Sequence, residues 1–262
     1  MKVDGKIVVV TGGAEGIGRA LCEQFHQAGA GKIVVADRNL PGAEATARAV
    51  GGIAMACDVG TETDVIRLIA ETEAKAGPIA LFCSNAGIGS FRDDPMNAAS
   101  SPNDVWQRAF EVNVMAHVYA ARALLPLMIA RGGGYFLNTV SAAGLLNQIG
   151  SAVYATTKHA AVGFAENLAL THRDQGIRVS ILCPQGVDTA LLRASGHGPQ
   201  HLDGVLTPAA CAEAALAGIE AETFVILPHP QVADYMRRKT ENYDRWIAGM
   251  AKLQRGLLLP RA

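Results

Sequence analysis

Short, strongly apolar runs alternate with longer alanine-rich segments along this chain. The runs are rich in β-branched residues, whereas apolar positions in the longer segments recur at helical spacing. Runs that are apolar throughout predict parallel strands buried on both faces, and right-handed crossovers between them give a doubly wound α/β sheet. The predicted strands are 7–11, 32–36, 53–56, 79–84, 134–139, 178–184 and 224–227. The predicted helices lie near 17–29, 41–50, 62–76, 104–131, 152–174 and 208–221.

The chain shows neither a linker nor an internal repeat, so we expect one domain over residues 1–262. Two polar stretches, 88–103 and 186–207, follow the carboxyl ends of predicted strands, where open α/β sheets bind ligands. We predict that 186–207 is a substrate-loop insertion. Residues 230–259 form a C-terminal tail with apolar residues at helical spacing. We expect this stripe to pack on its own or a neighbouring subunit rather than bind a small molecule.

The charge pattern excludes some classes of partner. The formal net charge is −1, and no basic block supplies the positive surface that nucleic acid requires. No apolar stretch is expected to reach the length of a membrane span, and the first residues do not resemble a signal peptide.

The cysteines and histidines indicate neither a disulfide framework nor a metal site. Five cysteines occur without a CxxC pair, which predicts reduced, buried thiols in a cytoplasmic protein. His197 and His201 have helical spacing, but the glycines and proline around them argue against a helix. We therefore expect no metal.

The first predicted strand runs into a glycine-rich turn of the pattern GxxxGxG. Glycines permit the tight turn and bring a helix amino terminus close to a pyrophosphate. A sharp strand–helix junction without ligand fits the same residues. The residues expected to contact a dinucleotide here are Gly12, Glu15, Gly16, Ile17 and Gly18.

Acidic residues follow the second and third predicted strands. Asp37 ends the second strand, where a carboxylate accepts hydrogen bonds from ribose hydroxyls and repels a 2′-phosphate. Glu15 adds a second negative charge, whereas Arg38 favours the phosphate. Two acids against one base predict NAD rather than NADP. Asp58, with Val59, fits either a contact to the adenine amino group or a helix cap.

Two YxxxK motifs place a tyrosine and a lysine on one face of a helix. Tyr154 and Lys158 open the helix before the sixth strand, and Ser141 lies at the end of the fifth strand. Tyr235 and Lys239 have no serine at the corresponding distance. We therefore interpret the first pair as catalytic and the second as a solvated helix face.

With these residues in place, the chain resembles the shorter, single-domain type of the short-chain dehydrogenase/reductase family over nearly its whole length. The resemblance rests on the turn at 11–18, Asn85, Ala86, Gly87, Asn113, Ser141, Tyr154, Lys158 and the segment 184–189. It implies a Rossmann-like, doubly wound, mainly parallel sheet of about seven strands with helices on both faces. It also implies a nicotinamide cofactor and a dimer or tetramer built on the helices that carry Asn113 and Tyr154.

The resemblance also implies roles for these residues. Tyr154 would be the general acid/base, Ser141 would donate to the substrate oxygen, and Asn113 would hold a water linked to Lys158. Lys158 would bind the nicotinamide ribose and lower the pKa of Tyr154. An ammonium about 4 Å away contributes roughly 4 kcal/mol at an effective dielectric of 20, which would bring a phenol from about 10 to near 7.

The segment after the sixth strand departs from the family pattern. The family has Pro-Gly where this chain has Pro184 and Gln185, although Val187 and Thr189 occupy their expected positions to hold the nicotinamide carboxamide. Ser84 replaces the first asparagine of the usual Asn-Asn-Ala-Gly. The further residues implied to bind the cofactor are Asn85, Ala86, Gly87, Tyr154, Lys158, Pro184 and Gly186.

The residues around the expected reaction centre indicate an uncharged, largely apolar substrate. Substrate contacts are expected from Ser141, Ala143, Gln148, Tyr154 and Leu191. The leucines also fit simple packing against the protein. A non-catalytic NAD-binding regulator would have lost the tyrosine or the lysine, and a sugar-nucleotide epimerase usually has an extra domain. We therefore predict an oxidoreductase that moves a hydride between NAD(H) and a secondary alcohol or ketone.

Overall fold

The fold is a single parallel sheet of seven strands, seen in a computed structural model that describes residues 1–89, 93–94, 96–196 and 198–258. The strands are β1 Ile7–Thr11, β2 Lys32–Asp37, β3 Ile53–Ala56, β4 Ile79–Ser84, β5 Gly134–Thr139, β6 Ile177–Leu182 and β7 Val225–Ile226. Their order is β3-β2-β1-β4-β5-β6-β7, and each neighbouring pair is parallel. The predicted Rossmann-like architecture is confirmed.

Ten α-helices are described. They are α1 Gly16–Gln27, α2 Leu40–Val50, α3 Glu62–Lys75, α4 Asn103–Phe110, α5 Ala116–Ala130, α6 Ala152–His172, α7 Ala190–Ala194, α8 Pro208–Glu220, α9 Gln231–Glu241 and α10 Tyr243–Leu258. The strand order reverses between β1 and β4, which opens a crevice at the carboxyl ends of these strands. The glycine turn and the loop after β4 meet there.

The apolar strands lie between two helical layers. Val9 of β1 faces a core that includes residues of α3, α5 and α6, whereas Val8 and Val10 face a core with residues of α1, α2 and α8. All three valines are fully buried. Because successive side chains of a strand point to opposite faces, continuous apolar runs are required here. The sheet thereby holds the ends of β1, β4, β5 and β6 rigidly beside the crevice.

The predicted helix at 104–131 is interrupted. Residues Glu111–Met115 form a π-helical turn between α4 and α5, and Asn113 lies at its centre. The run 103–130 is long and apolar enough to cross a membrane by length and composition, so the expectation that no stretch reaches that length is wrong. Half of its apolar window is buried, and it packs on α3 and α6.

Candidate active site

The glycine turn accepts only glycine at two of its positions. Gly12 has a φ of +66°, and a Cβ there would lie 2.9 Å from the Ala86 Cα. A Cβ at Gly18 would collide with the Gly12 carbonyl and lie 2.6 Å from the Asn85 amide nitrogen. Glu15, the N-cap of α1, makes no side-chain cap, which leaves the first N–H groups of the helix without that partner. This close, donor-rich turn fits the pyrophosphate of a dinucleotide.

Asp37 lies beside the glycine turn. Its carboxylate accepts hydrogen bonds from the backbone N–H groups of Ala14 (3.1 Å) and Asn39 (2.9 Å), one on each oxygen. Each oxygen keeps lone pairs for further donors, as ribose hydroxyls would be. The neighbouring Arg38 is exposed and lines the same cavity as Asp37 and Glu15.

Asp58 forms an ion pair that the sequence did not reveal. Both of its carboxylate oxygens accept from the Arg108 guanidinium, at 2.9 and 2.8 Å, and one also accepts from the Gly60 N–H at 2.9 Å. Arg108 belongs to α4, fifty residues further along the chain. Asp58 and Val59 line the cavity, but the carboxylate also fixes the loop after β3 to α4.

The segment Asn85, Ala86 and Gly87 joins three strand ends. The Asn85 side-chain amide donates to the Thr11 carbonyl at 3.0 Å and accepts from the Thr139 hydroxyl at 3.1 Å. The Ala86 N–H donates to the Thr11 hydroxyl at 3.2 Å. These bonds hold the ends of β1, β4 and β5 in one arrangement below the crevice.

Ser141, Tyr154 and Lys158 converge in one cavity of about 960 Å³. Ser141 follows β5, and its Oγ accepts from the Ala143 N–H at 3.0 Å. Tyr154 lies in the first turn of α6 and Lys158 one turn later, with its Nζ 5.6 Å from the tyrosine ring centroid. The Lys158 ammonium donates to the Thr139 carbonyl at 3.1 Å. A hydroxyl, a phenol and an ammonium therefore face one space.

Burial has the largest effect on the pKa values of Tyr154 and Lys158. It raises the pKa of Tyr154 above its ordinary value, while the hydrogen bond with Ser141 acts in the opposite direction. It lowers the pKa of Lys158 to about 8. We expected the lysine to bring the tyrosine pKa near 7. The structure gives the opposite direction, because burial of the ring disfavours the charged phenolate and so raises the pKa of Tyr154.

The buried ammonium of Lys158 gives a stability prediction. Between pH 8 and 10.5 the folded chain releases this proton while the unfolded chain keeps it, so stability rises with pH across that window. Below pH 8 the burial costs about 3 kcal/mol, partly offset by the bond to Thr139. Lys158→Met should therefore raise the free energy of unfolding by about 2 kcal/mol at pH 7 and by much less at pH 10.5. Urea unfolding at both values tests this, with exposed Lys252→Met as the control. An unfolding free energy lower than wild type at pH 7 contradicts the prediction.

Asn113 lies behind the cavity rather than on its surface. Its amide oxygen accepts from the Ile88 N–H at 2.9 Å, and its amide nitrogen donates to the Ile88 carbonyl at 2.9 Å and to the Thr157 hydroxyl at 3.1 Å. A Cβ at Gly87 would lie 3.4 Å from the Asn113 Oδ1 and also 3.4 Å from the Lys158 Nζ. The side chains of Asn113 and Lys158 therefore both approach Gly87. The amide fastens the loop after β4 to α6.

The other sequence-selected residues occupy the same cavity. All of them except Asn113 and Gly186 line it, including the substrate candidates Ala143, Gln148 and Leu191. The Gln148 amide donates to the Gln200 side chain at 3.1 Å. A Cβ at Gly16 would lie 3.1 Å from the Thr189 Cγ2, so the segment after β6 lies against the glycine turn.

The second YxxxK motif is not a solvated helix face, and that interpretation is wrong. Lys239 is 9% exposed, and its ammonium donates to the Leu145 carbonyl at 2.7 Å. The Tyr235 hydroxyl donates to the Asp203 carboxylate at 3.0 Å. The two side chains tie α9 to the segment after Ser141 and to the segment 186–207.

The C-terminal helices form part of the cavity wall, whereas the apolar stripe of this tail was expected to pack on the protein rather than bind a small molecule. The tail residues that line it are Tyr235, Arg238, Trp246, Met250, Leu253 and Leu257. Tyr235 and Trp246 also pack on Leu146, so the stripe serves both packing and the site. The apolar spacing of the tail was visible in the sequence, but its position over the cavity was not.

The cysteines are free and buried. Burial raises the pKa of Cys22, Cys57, Cys183 and Cys211 to about 12, and it also raises the pKa of Cys83 well above its ordinary value. Among the residues that the structure describes, no group of three His, Cys, Asp or Glu side chains could hold a metal ion. His197 lies outside the described residues.

Comparison with known proteins establishes the family. The model of the family described as short chain dehydrogenase matches residues 6–200. The chain belongs to the short-chain dehydrogenase family. A 1-deoxy-11-beta-hydroxypentalenate dehydrogenase from Streptomyces exfoliatus is 37% identical over 200 residues, 74% of this chain and 71% of that protein. The epidermal retinol dehydrogenase 2 of Mus musculus is 34% identical over 198 residues, 72% of this chain but only 62% of that protein.

A solved structure extends the similarity to the fold. A short-chain dehydrogenase/reductase from Burkholderia phymatum, in complex with NAD, matches with a TM-score of 0.83 and 26% identity, covering 93% of this chain and 96% of that chain. Together with the dehydrogenases above, this makes the chain an oxidoreductase that acts on CH–OH groups with a nicotinamide cofactor. The alternative of a non-catalytic regulator is not supported.

Proposed function

We propose that this short-chain dehydrogenase interconverts a secondary alcohol and a ketone, with Tyr154 as the general acid/base. The observation that carries the proposal is the convergence of Ser141, Tyr154 and Lys158 in one cavity that also contains the glycine turn. A bound nicotinamide cofactor supplies the hydride acceptor for oxidation or the hydride donor for reduction.

The chain's own residues handle the proton and position the substrate. The Tyr154 phenolate takes the hydroxyl proton in oxidation, and the phenol returns it to the oxygen in reduction. The Ser141 hydroxyl donates to the same oxygen and stabilises the charge that develops there. Lys158, fixed by the Thr139 carbonyl, favours the phenolate and binds the nicotinamide ribose. Asn113 fastens the loop after β4 to α6, the helix that carries Lys158. A water held by Asn113 would link Lys158 to solvent.

We propose NAD rather than NADP as the preferred cofactor. Support comes from the position of Asp37, whose carboxylate is bonded to the glycine turn, and from Glu15 in the same turn. A 2′-phosphate close to these two carboxylates would be repelled. Arg38 lies in the same cavity and opposes this preference.

The proposed substrate is uncharged and largely apolar. The cavity that contains Tyr154 is also lined by Leu146, Trp246, Met250 and Leu253, with the polar side chain of Gln148 among its lining residues. A panel of uncharged secondary alcohols and ketones, together with carboxylate-bearing analogues, tests this proposal. We expect at least one uncharged member to be turned over, measured as reduction or oxidation of the cofactor by the absorbance of NADH. Turnover confined to the carboxylate-bearing members contradicts the substrate class, and no turnover with any member contradicts the activity.

We propose that the chain assembles as a dimer or tetramer through α4–α5 and α6. We also propose that residues 1–262 act as one domain and that the protein lies in the cytoplasm. Support for the assembly comes from the exposed Leu127 of α5 and the exposed Ile66 of α3, which packs on α5, and support for the cytoplasm comes from the five unpaired cysteines. Light scattering at micromolar concentration should give two or four chain masses, and a monomer mass contradicts it.

A further inference from the structure

The turn after β6 and the loop at 198–206 are joined by backbone hydrogen bonds. The Gly186 N–H donates to the Gln200 carbonyl (3.0 Å), and the Leu206 N–H donates to the Gly186 carbonyl (3.0 Å). The Asp188 N–H donates to the Leu206 carbonyl (2.9 Å). A Cβ at Gly186 would lie 2.5 Å from the Gln200 carbonyl oxygen, so the approach is close. We call residues 185–189 and 198–206 the loop–turn unit.

His229 lies buried against the loop–turn unit, with 2% of its surface exposed. Its Nδ1 accepts a hydrogen bond from the Gln185 backbone N–H at 3.2 Å. This bond assigns the proton of the neutral ring to Nε2. Burial lowers the pKa of His229, while the Asp203 carboxylate and the backbone of Gly204 and Gly186 act in the opposite direction. These groups place the imidazole between the turn and the loop.

Three side-chain polar atoms of this region are buried and make no hydrogen bond to the protein. Among the described residues, these are the His229 Nε2, the Asp203 Oδ2 and the Gln185 Oε1. Buried polar atoms without partners are rare in native proteins, and each costs about 1–3 kcal/mol. Gln185 occupies the position at which the chain departs from its family.

Asp203 also connects this region to the C-terminal helices. The other oxygen of Asp203 accepts from the Tyr235 hydroxyl at 3.0 Å, which connects the loop to α9. Gln185, Asp203 and Tyr235 all line the cavity. The wall that faces the substrate is thus fastened to the segment after β7 through His229 and to α9 through Tyr235.

We propose that His229 is a positioning residue that holds the loop–turn unit in its closed shape, so that the substrate meets a preformed wall. Its Nδ1 fixes the turn by accepting from Gln185, and its ring supports the loop at Asp203. The proposal rests on the proposed function in one respect, that the cavity wall contacts a substrate. The positioning of the loop–turn unit by His229 can be measured without substrate.

Hydrogen exchange of the backbone amides in 186–188 and 204–206 tests this in the full chain. His229→Phe keeps a ring but removes the acceptor, whereas the side-chain oxygen of His229→Asn can replace Nδ1. We expect exchange about tenfold faster in His229→Phe and within about threefold of wild type in His229→Asn. The exposed His26→Phe is the control and should leave exchange unchanged. His229→Gln, whose amide lies one carbon further out, takes the place of His229→Phe if that variant does not fold.

Steady-state kinetics give the second readout. His229→Phe should raise the substrate KM about tenfold with kcat within about threefold of wild type, and His229→Asn should restore the KM. Wild-type exchange in His229→Phe, or equal acceleration in His229→Asn and His229→Phe, overturns the proposal. If exchange responds as expected but no alcohol or ketone is turned over, the proposed function fails and the positioning role stands.

Discussion

Tyr154→Phe should reduce kcat about a thousandfold while cofactor affinity stays within about threefold of wild type. The substitution removes the phenolic oxygen that we propose exchanges a proton with the substrate oxygen, and general acid–base catalysis contributes about 10² to 10⁴ in rate. The ring keeps its place on α6 beside Lys158, so the cavity retains its shape. Steady-state kinetics and titration of NADH fluorescence measure the two quantities separately.

The second motif supplies a matched control. Tyr235→Phe removes a hydroxyl from the same cavity, but that hydroxyl bonds to Asp203 rather than to the reaction centre. Its kcat should remain within about threefold of wild type. A Tyr154→Phe enzyme with substantial turnover, or a Tyr235→Phe enzyme without any, would show that the wrong tyrosine was chosen.

The unmodified enzyme should prefer NAD over NADP by at least about a hundredfold in kcat/KM, which corresponds to roughly 2.7 kcal/mol. The 2′-phosphate carries nearly two negative charges and would approach the carboxylate of Asp37, with Glu15 nearby. Asp37→Ala should remove most of the preference, and Asp37→Ala combined with Glu15→Lys should reverse it.

Two further variants separate charge from local structure. Asp37→Asn removes the charge but retains an acceptor for the N–H of Ala14 or Asn39, so it should use NADP better without loss of stability. Arg38→Ala should weaken the residual use of NADP. Equal use of both cofactors by the unmodified enzyme contradicts the assignment and makes Arg38 the deciding residue.

Most of the fold could be predicted because its signal is local. Each strand is a continuous apolar run, and burial on both faces leaves no alternative pattern at positions such as 8–10. The π-helical turn at Asn113 was not predicted from the sequence, and the partner of its central amide, Ile88, lies twenty-five residues away in the chain. The length of β7 was overestimated, since only Val225 and Ile226 pair with β6.

The site was predictable where a motif has its own geometry. Tyr154 and Lys158 share a helix face by spacing alone, and Gly12 and Gly18 are required by close backbone approach. Contacts between distant segments were missed, as with Arg108 on Asp58. The pKa direction of Tyr154 was missed too, because desolvation depends on all the atoms that cover the ring.

The buried thiols make this chain a convenient background for site-specific labelling. Maleimides and related reagents modify the thiolate, and thiols that are covered and have pKa values of about 12 supply almost none at neutral pH. Leu202, 62% exposed on the loop that closes the cavity, is a natural place to introduce one reactive cysteine. A fluorophore or spin label attached there would report whether that loop moves when a ligand binds, and the native chain would serve as its own unlabelled blank.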